Sequence, residues 1–403
     1  MLSTRRRLAV AAAVLAALWP LPGTTPTTPA GPVAGVAAMA PVGAFWYGIG
    51  AAPAPADVTA AAAEGGVVVL NAWETATLRR LRRLNPSLVV LVYKDLSSTR
   101  GYPGAVRDGA DAPTLPAGVG YVAATRSHPE WFALDNQGRR IEWNGYPGHW
   151  QMAVWDPGYQ AAWVDAVTAE VVREGWDGVL ADNDLARLRT YSPAVLAGMR
   201  TAARGDQLLR DGLDALVTRA GQALTAAGKL LVPNVGEARL FPGRWREHAR
   251  FGGAMEENFV VWPDGRFVTD TEAGDWTTQT DQTTDPGPLA LLVTQSTDPR
   301  ARRYGYASAL VRTGGRAHWT AADRGDYRRR TAPPPLGLAL GAPAGPPTRS
   351  PDGLWTREFQ GGWVAVNPTD RPLTAHPPPG TEPAEPVTVP PADAVLLALG
   401  ARR

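Results

Sequence analysis

Two short segments of the sequence share one spacing and each ends in a carboxylate. Residues 178–182 read Gly-Val-Leu-Ala-Asp and residues 253–257 read Gly-Ala-Met-Glu-Glu. Side chains alternate faces along a β-strand, so the glycine and the terminal carboxylate of each segment point the same way. If that face is the interior of a barrel, Asp182 and Glu257 both emerge at its mouth. Two carboxylates in one pocket are what glycoside hydrolysis needs: one protonates the leaving oxygen, and the other attacks the anomeric carbon or activates water.

Other roles for these carboxylates stay open at this point. An aspartate at a strand end often caps the following helix, a role that suits Asp182 or Asp184. Glu256 and Glu257 can also form a surface pair or an ion pair with an arginine. Glu256 is a second candidate for the catalytic acid, because a β-bulge would exchange the faces of adjacent residues.

The elements that would position these carboxylates alternate between apolar strands and amphipathic helices. The candidate strands are residues 44–49, 67–70, 88–93, 178–181, 230–232, 253–255, 289–294 and 316–320. Helical spacing is clearest in residues 74–84, 158–174 and 206–227. Continuous apolar strands between helices indicate a parallel sheet that is buried on both faces, and eight of them predict an α/β fold, a (β/α)8 TIM barrel. A doubly wound open sheet is the main alternative.

Composition divides the chain into regions. Residues 44–330 are predicted to form the barrel, with a long insertion after the third strand that contains four tryptophans. We expect this insertion to fold over the C-terminal mouth of the barrel, where such folds keep their active sites. Residues 331–350 are rich in proline and glycine and are predicted to be a linker. Residues 351–403 contain short alternating strands, which predict a small C-terminal β-sandwich domain.

Residues 1–43 predict a signal peptide and a flexible leader. Arg5, Arg6 and Arg7 precede a short apolar run, residues 8–21, and a Pro/Thr/Gly/Ala-rich stretch follows. The apolar run is short for a membrane span and has the anatomy of an export signal. An uncleaved membrane anchor is the alternative. In both cases we expect a secreted or cell-envelope location outside the cytoplasm.

Composition also excludes several classes of function. The chain has 40 basic and 38 acidic residues and a formal net charge of +2, without the large positive excess of a nucleic-acid-binding protein. The lack of cysteine excludes disulfides, thiolate metal sites and a cysteine nucleophile. The histidines form no His-x-x-x-His pair, and the glycine motifs that bind phosphates or dinucleotides are missing. We therefore expect no metal and no cofactor.

The aromatic residues follow an unusual order, with 15 Trp, 10 Tyr and 7 Phe. Indole rings suit stacking on the C–H faces of sugars, although each can equally be a packing anchor. The candidate substrate-binding residues lie at strand ends or in the insertion: Trp46, Trp73, Lys94, Trp150, Trp155, Asp156, Asn183, Asn234, Trp262, Gln295 and Trp319. The polar members can also bind loop backbone, and Asp156, which precedes Pro157, most resembles a helix N-cap.

Several motifs together resemble those of a family of bacterial TIM-barrel proteins, the hypothetical glycosyl hydrolase family fifteen. The likeness is carried by residues 90–94 (Val-Leu-Val-Tyr-Lys), 128–132 (His-Pro-Glu-Trp-Phe), 155–157 (Trp-Asp-Pro), 176–183, 253–259 and 362–368. The resemblance extends over roughly residues 45–400. It implies hydrolysis of O-glycosidic bonds in a polysaccharide without a cofactor. The tandem Glu256-Glu257 leaves the second catalytic position ambiguous.

The sequence therefore predicts a secreted glycoside hydrolase in which Asp182 is the nucleophile or base and Glu257 or Glu256 is the general acid. A separation of these carboxylates beyond about 10 Å would exclude that mechanism. The alternative is a non-catalytic carbohydrate-binding or cell-envelope protein on a barrel scaffold, and a sugar isomerase or lyase is a weaker one because no clustered metal-binding set is present. We expect a monomer that binds a polysaccharide or oligosaccharide, no nucleic acid and, after signal cleavage, no membrane.

Overall fold

The computed structural model describes residues 42–400 except 263, 272–274, 285–288, 314–315, 324–325 and 331–339. The predicted signal peptide and leader therefore lie outside the described residues up to residue 41, as does the first part of the predicted linker. Among the described helices, none has the length and apolar character needed to cross a membrane.

The described strands, in chain order, are β1 (Gly43–Gly48), β2 (Val67–Leu70), β3 (Val89–Asp95), β4 (Ser98–Arg100), β5 (Val106–Arg107), β6 (Ala110–Asp111), β7 (His149–Gln151), β8 (Gly178–Asp184), β9 (Leu230–Val235), β10 (Ala254–Glu256), β11 (Ala290–Gln295), β12 (Ala317–Ala322), β13 (Thr348–Arg349), β14 (Trp355–Phe359), β15 (Gly362–Asn367), β16 (Leu373–Ala375), β17 (Val387–Val389) and β18 (Asp393–Ala398).

The described α-helices are α1 (Pro55–Glu64), α2 (Thr75–Leu84), α3 (Tyr121–Ser127), α4 (Pro157–Glu174), α5 (Ala202–Ala226), α6 (Arg244–Ala249), α7 (Trp276–Thr284) and α8 (Pro299–Arg312). Short 3-10 helices cover Pro129–Trp131, Leu188–Thr190 and Ala238–Leu240.

Eight parallel strands close into a barrel in the order β1-β2-β3-β8-β9-β10-β11-β12, and β12 pairs back to β1. Helices connect successive strands on the outside, for example α5 between β8 and β9 and α8 between β11 and β12. The predicted (β/α)8 barrel is confirmed. The open-sheet alternative is wrong, because the register between Gly43 and His318 closes the two ends of the sheet.

Alternation along the barrel strands separates an inward from an outward set of side chains. The inward set forms one buried apolar cluster that includes Tyr47, Tyr93, Leu180 and Met255. The outward set, which includes Trp46, packs in other buried clusters that contain the surrounding helices. This division decides which residues at the strand ends can reach the mouth of the barrel.

The long insertion occupies the chain between β3 and α4 and contains β4 to β7 and α3. Its β4 pairs antiparallel with β7, and the N–H of Met152 donates to the carbonyl of Ser97 at 2.8 Å. The Trp143 ring of the insertion stacks on Tyr191, which follows β8, with ring centroids 4.0 Å apart. The insertion therefore lies over the C-terminal ends of β3 and β8.

The C-terminal region holds a four-stranded antiparallel sheet, β13-β14-β15-β18, and the hairpin β16-β17. Trp363 on one face of the sheet packs with the hairpin, whereas Val364 on the other face packs with α8. Arg357 donates to three carbonyls at the C-terminal end of α8 over 2.6 to 3.3 Å, and Arg303 of α8 forms an ion pair with Asp393 at 2.7 Å. The predicted small β-sandwich is present and is braced against α8, whereas the domain boundaries stay a prediction.

Candidate active site

The ends of β8 and β10 bring the two equally spaced carboxylates into one cavity. Leu180 and Met255 point into the barrel, so Asp182 and Glu257, two residues further on, emerge at its C-terminal mouth. Both line a cavity of about 790 Å³. This volume lies within the range of small-molecule sites in proteins.

Asn234, on β9, fixes how far apart the two carboxylates lie. Its Nδ2 donates to Oδ1 of Asp182 at 2.8 Å and to Oε2 of Glu257 at 2.7 Å. Because one nitrogen contacts both oxygens, these two oxygens are at most 5.5 Å apart. The separation is far below the limit of about 10 Å at which a two-carboxylate mechanism would fail.

Asp182 is surrounded by neutral donors. Besides Asn234, the Tyr93 hydroxyl donates to Oδ2 at 2.6 Å, and Asn183 donates through its backbone N–H at 2.8 Å and its Nδ2 at 3.1 Å. Burial, followed by the negative charge of Asp95, raises the pKa of Asp182, while these hydrogen bonds oppose the rise. Donors aimed at a carboxylate stabilise its ionised form without neutralising it.

Asn183 has a left-handed backbone conformation next to Asp182. Its φ is 61°, in the left-handed region that non-glycine residues seldom adopt. Its Nδ2 donates to Asp95 at 2.5 Å, and its Oδ1 accepts from the Tyr191 hydroxyl at 2.7 Å. Asp95 in turn forms a buried ion pair with Arg100 at 2.9 Å. This network holds the side chain next to Asp182 in one orientation.

Glu257 lies in an environment that favours its protonated form. Burial, followed by the negative charge of Asp182, raises the pKa of Glu257 to about 7. The Tyr327 hydroxyl contacts its Oε1 at 2.8 Å. A hydroxyl can donate to the carboxylate or accept from the carboxylic acid, so this contact serves both protonation states. Glu257 can therefore hold a proton near neutral pH and release it during a reaction.

Aromatic side chains form one side of the cavity, and we call Trp143, Tyr146, His149 and Tyr191 the aromatic wall. Trp143 stacks on Tyr191, and the Tyr146 ring meets the edges of Tyr191 and His149 with centroids 5.4 and 5.5 Å apart. Burial and the nearby Arg100 lower the pKa of His149 to about 4, so its ring is neutral at physiological pH. Flat apolar faces beside a pair of carboxylates can stack on sugar rings.

Comparison with known proteins identifies the family of this chain. Residues 82–363, more than half of the chain, match the model of Hypothetical glycosyl hydrolase family 15. The chain belongs to this family. The resemblance noted from the sequence motifs is thus confirmed. A comparison with curated proteins finds no match.

Solved structures of glycoside hydrolases are similar to this family member at low sequence identity. A variant of the glycoside hydrolase domain of PelA from Pseudomonas aeruginosa is 15% identical, with 70% of this chain and 94% of that chain covered and a TM-score of 0.45. Ega3 from Aspergillus fumigatus in complex with galactosamine is 10% identical (70% and 90% covered, TM-score 0.41). The maltogenic alpha-amylase AmyB from Thermotoga neapolitana is 10% identical (90% and 98% covered, TM-score 0.48). These similarities say nothing about the substrate of this family member.

Five of the residues selected from the sequence of this family member lie together in the site. Asp182, Glu257, Asn183 and Gln295 line the cavity, and Asn234 bridges the two carboxylates. All five lie at or just beyond the C-terminal ends of β8 to β11. For Asp182, Asn234, Glu257 and Gln295, the alternation of side chains along the strands identifies the inward face. Asn183 is the exception, because β8 is irregular between Ala181 and Asp184.

Glu256 lies outside the cavity. It is the last residue of β10, and the preceding inward residue is Met255, so Glu256 points outward into the layer between strand and helix. It is buried there, and its Oε1 accepts from the backbone N–H of Asn258 at 3.0 Å. The structure therefore places the second carboxylate of the cavity at position 257.

The prediction that Lys94 binds substrate is wrong, because Lys94 lies on the outward face of its strand. Tyr93 points inward on β3, so Lys94 points outward and is fully buried. Its Nζ forms an ion pair with Glu170 of α4 at 2.7 Å and donates to the carbonyl of Leu115 at 2.6 Å. Both contacts tie the insertion and α4 to the barrel, and neither reaches a substrate.

The prediction that Trp46 and Trp319 bind substrate is wrong for the same reason. Each belongs to the outward set of its strand and is buried beneath the helices, and Trp319 Nε1 donates to Thr294 at 3.1 Å. Trp262 lies under the guanidinium of Arg239, 3.7 Å from its ring centroid, outside the cavity. These indoles are packing anchors of the outer layer.

The remaining residues selected from the sequence also lie outside the central cavity. Asp156 caps α4, accepting from the N–H groups of Gly158 and Tyr159 at 2.8 and 2.9 Å. Trp150 and Trp155 are partly buried and pack against the hydrophobic core. Trp73 is exposed and lines a separate cleft at the same mouth.

Sequence reasoning missed most of the tyrosines that line the cavity. Tyr47 and Tyr93 were readable, because the strand face opposite Trp46 and Lys94 is the inward one. Tyr327 and the Tyr191 of the aromatic wall lie on loops, and Arg100 lies at the end of a short strand of the insertion. No periodic pattern surrounds those three residues, so only the folded structure identifies them.

Proposed function

We propose that this protein is a secreted glycoside hydrolase that cleaves O-glycosidic bonds of a polysaccharide with retention of anomeric configuration. The observation that supports it best is the Asn234 amide between the two carboxylates, which limits their nearest oxygens to 5.5 Å. Retaining enzymes hold their carboxyl groups about 5–5.5 Å apart, whereas inverting enzymes leave about 6.5–9.5 Å for a water molecule.

In the first step, an oxygen of the Asp182 carboxylate attacks the anomeric carbon. The bond from that carbon to the glycosidic oxygen breaks, and the Glu257 proton passes to the departing oxygen. The products are a glycosyl ester on Asp182, an ionised Glu257 and a released sugar alcohol. The donors around Asp182 favour the ionised nucleophile, and the raised pKa of Glu257 favours the protonated acid.

In the second step, the Glu257 carboxylate removes a proton from water, and the water oxygen attacks the anomeric carbon of the ester. The bond to Asp182 breaks, which restores its carboxylate and the protonated Glu257. During this cycle the Tyr327 hydroxyl stays in contact with Glu257 and can reverse its hydrogen bond as the proton leaves and returns.

Two features support a polysaccharide as the substrate and the cell exterior as the location. The aromatic wall and the neutral amides of Asn144, Asn183 and Gln295 line the cavity, and this combination suits sugar rings and hydroxyls. Residues 1–43 have the charged, apolar and small-residue regions of a signal peptide. Secretion is tested by N-terminal sequencing of protein recovered from the medium of a bacterial host that expresses the full chain.

The activity is tested by incubating the purified protein with bacterial exopolysaccharides and cell-wall glycans and measuring new reducing ends. Asp182→Asn and Glu257→Gln are assayed in parallel, and Glu256→Gln is the matched control because its carboxyl lies one residue away but outside the cavity. We expect cleavage by the wild type and Glu256→Gln and none by the other two. NMR of the first product should show the anomer of the substrate.

Three results would overturn the proposal in different ways. Cleavage that survives Glu257→Gln but disappears in Glu256→Gln would move the acid to the outward carboxylate. A first product with the opposite anomeric configuration would replace the retaining mechanism with an inverting one. Binding of one glycan without cleavage by any form of the protein would establish the non-catalytic binding function instead.

A further inference from the structure

Exposed aromatic rings are confined to one end of the described structure. Among the described tryptophans, tyrosines and phenylalanines, Trp73 and Tyr146 are the most exposed, at 44% and 46%, and the others are buried or half-buried. Tyr146 belongs to the aromatic wall of the active-site cavity, and Trp73 follows β2 at the same end of the barrel. An indole left in water forgoes the free energy of burying its apolar surface, about 25 cal/mol per Å².

Trp73 lines a second concavity of about 380 Å³, which we call the Trp73 cleft. Tyr102, Pro113 and Pro116 supply apolar surface, and the exposed Arg107 supplies hydrogen-bond donors. Flat apolar faces with a few donors suit a pyranose ring, whose C–H faces are apolar and whose edge carries hydroxyls.

The Trp73 cleft adjoins the active-site cavity at a pair of rings. Tyr102, which lines the cleft, lies 5.4 Å from the His149 ring, which belongs to the aromatic wall. The aromatic linings of the two concavities therefore approach each other at Tyr102 and His149.

The floor of the Trp73 cleft is also attached to the strand beside the nucleophile. The carbonyl of Pro116 accepts from the N–H of Asp95 at 2.7 Å. Asp95 is the register partner of Asp182 between β3 and β8. The cleft and the reacting carboxylate are thus held by neighbouring strands, so their relative position is set by the barrel itself.

We infer that the Trp73 cleft is a distal glycan-binding subsite, in which sugar units of the bound chain beyond those in the active-site cavity stack on Trp73 and Tyr102. The inference rests on the proposed function and adds a substrate class: chains long enough to occupy both concavities. Short glycosides that fill only the cavity gain nothing from Trp73.

The test compares Trp73→Ala with the wild type on long and short substrates. The polysaccharide cleaved in the screen and an aryl glycoside of its sugar give two kcat/KM values, and we expect their ratio to fall about 10-fold in Trp73→Ala. Trp73→Phe keeps a ring and should restore most of the ratio. Leu84→Ala is the matched control, because Leu84 is 50% exposed at the far end of α2, the helix that follows Trp73.

Retardation in gels that contain a glycan measures binding and does not require catalysis. The wild type and each variant are run through gels that contain dextran, galactan, chitosan or alginate, and Trp73→Ala should lose retardation that Leu84→Ala keeps. An unchanged ratio together with unchanged retardation would overturn the inference. If the wild type were retarded but cleaved no glycan, the proposed function would be wrong. A loss of retardation in Trp73→Ala would then still support the subsite. Retardation by none of these glycans, with no cleavage, would overturn both.

Discussion

Asp182 and Asp184 lie two residues apart on β8, one half-buried and the other fully buried, and their surroundings are opposite. Asp182 faces the cavity and shares the Asn234 amide with a second carboxylate. Within the part of the chain that the structure describes, no arginine, lysine or histidine forms an ion pair with Asp182 or Glu257. Burial raises the pKa of both carboxyl groups, and ionisable groups in a cavity with raised pKa values are candidates for a functional site.

Asp184 is turned to the outside of the barrel by a register irregularity between β8 and β9. Arg244 and His248 both form ion pairs with it, and the same two residues contact Asp214 at 3.0 Å each. Burial opposes the charged form of His248, but Asp184 and Asp214 outweigh it and raise its pKa to about 9. The comparison teaches that the outward carboxylate, Asp184, is neutralised by cations, whereas the cavity carboxylate, Asp182, is held only by neutral donors.

The largest effect that would test this comparison is the loss of the carboxylate that we propose as the nucleophile. Asp182→Asn should lower kcat on the cleaved polysaccharide by about 10⁴-fold, because the amide cannot attack the anomeric carbon. Its thermal unfolding midpoint should stay close to that of the wild type, since no buried cation loses a partner. Substantial activity in this variant, or a collapse of its stability, would remove the distinction between the two aspartates.

The opposite pattern is expected for Asp184→Asn. Removing this charge leaves Arg244 and His248 buried beside a single half-exposed carboxylate, which should destabilise the protein by about 3–5 kcal/mol. Urea denaturation measures the loss, and kcat per folded molecule should remain near the wild-type value. If the variant were instead fully stable and inactive, Asp184 would belong to the reactive site.

The pH dependence of stability should follow His248. Its folded pKa of about 9 lies above the ordinary value of 6.5, so its stabilisation is complete below pH 6.5 and is lost as pH rises through 9. We expect the free energy of unfolding to fall by about 3 kcal/mol over that interval. His248→Gln should be less stable at pH 6 and should show a flatter profile. An equal slope in both proteins would assign the dependence to other groups.

The smallest expected effect is a shift in the pH dependence of activity when the Tyr327 hydroxyl is removed. Its hydrogen bond lowers the pKa of Glu257, which burial and Asp182 otherwise raise. The general acid must be protonated, so kcat/KM should fall as pH rises through about 7. Tyr327→Phe should move this midpoint upward by about 0.5–1 pH unit. Tyr306→Phe is the matched control, because it removes a tyrosine hydroxyl outside the cavity. Tyr306 packs on Trp319, and its substitution should leave the midpoint of the pH profile unchanged.

Individual strands show which inward residues could be predicted from the sequence and which could not. On β8 and β10, the two-residue alternation from Leu180 and Met255 led to Asp182 and Glu257. On β1 and β3 the same alternation identifies Tyr47 and Tyr93 as the inward residues. Trp46 and Lys94 are selected by their aromatic or basic character alone, and both point outward. The residue type was a weaker guide than the strand face, because the face is set by local backbone geometry.

The sequence by itself determined the barrel, the inward position of Asp182 and the resemblance to a family, because these depend on local periodicity and short motifs. Only the tertiary structure decided that Asn234 joins the carboxylates, that Glu257 rather than Glu256 enters the cavity and that Tyr327 contacts it. Those facts depend on barrel closure and on loops from distant parts of the chain, and packing over such sequence separations leaves no local pattern in the sequence. The exposure of Trp73 belongs to the same class, since burial is a property of what the rest of the chain covers.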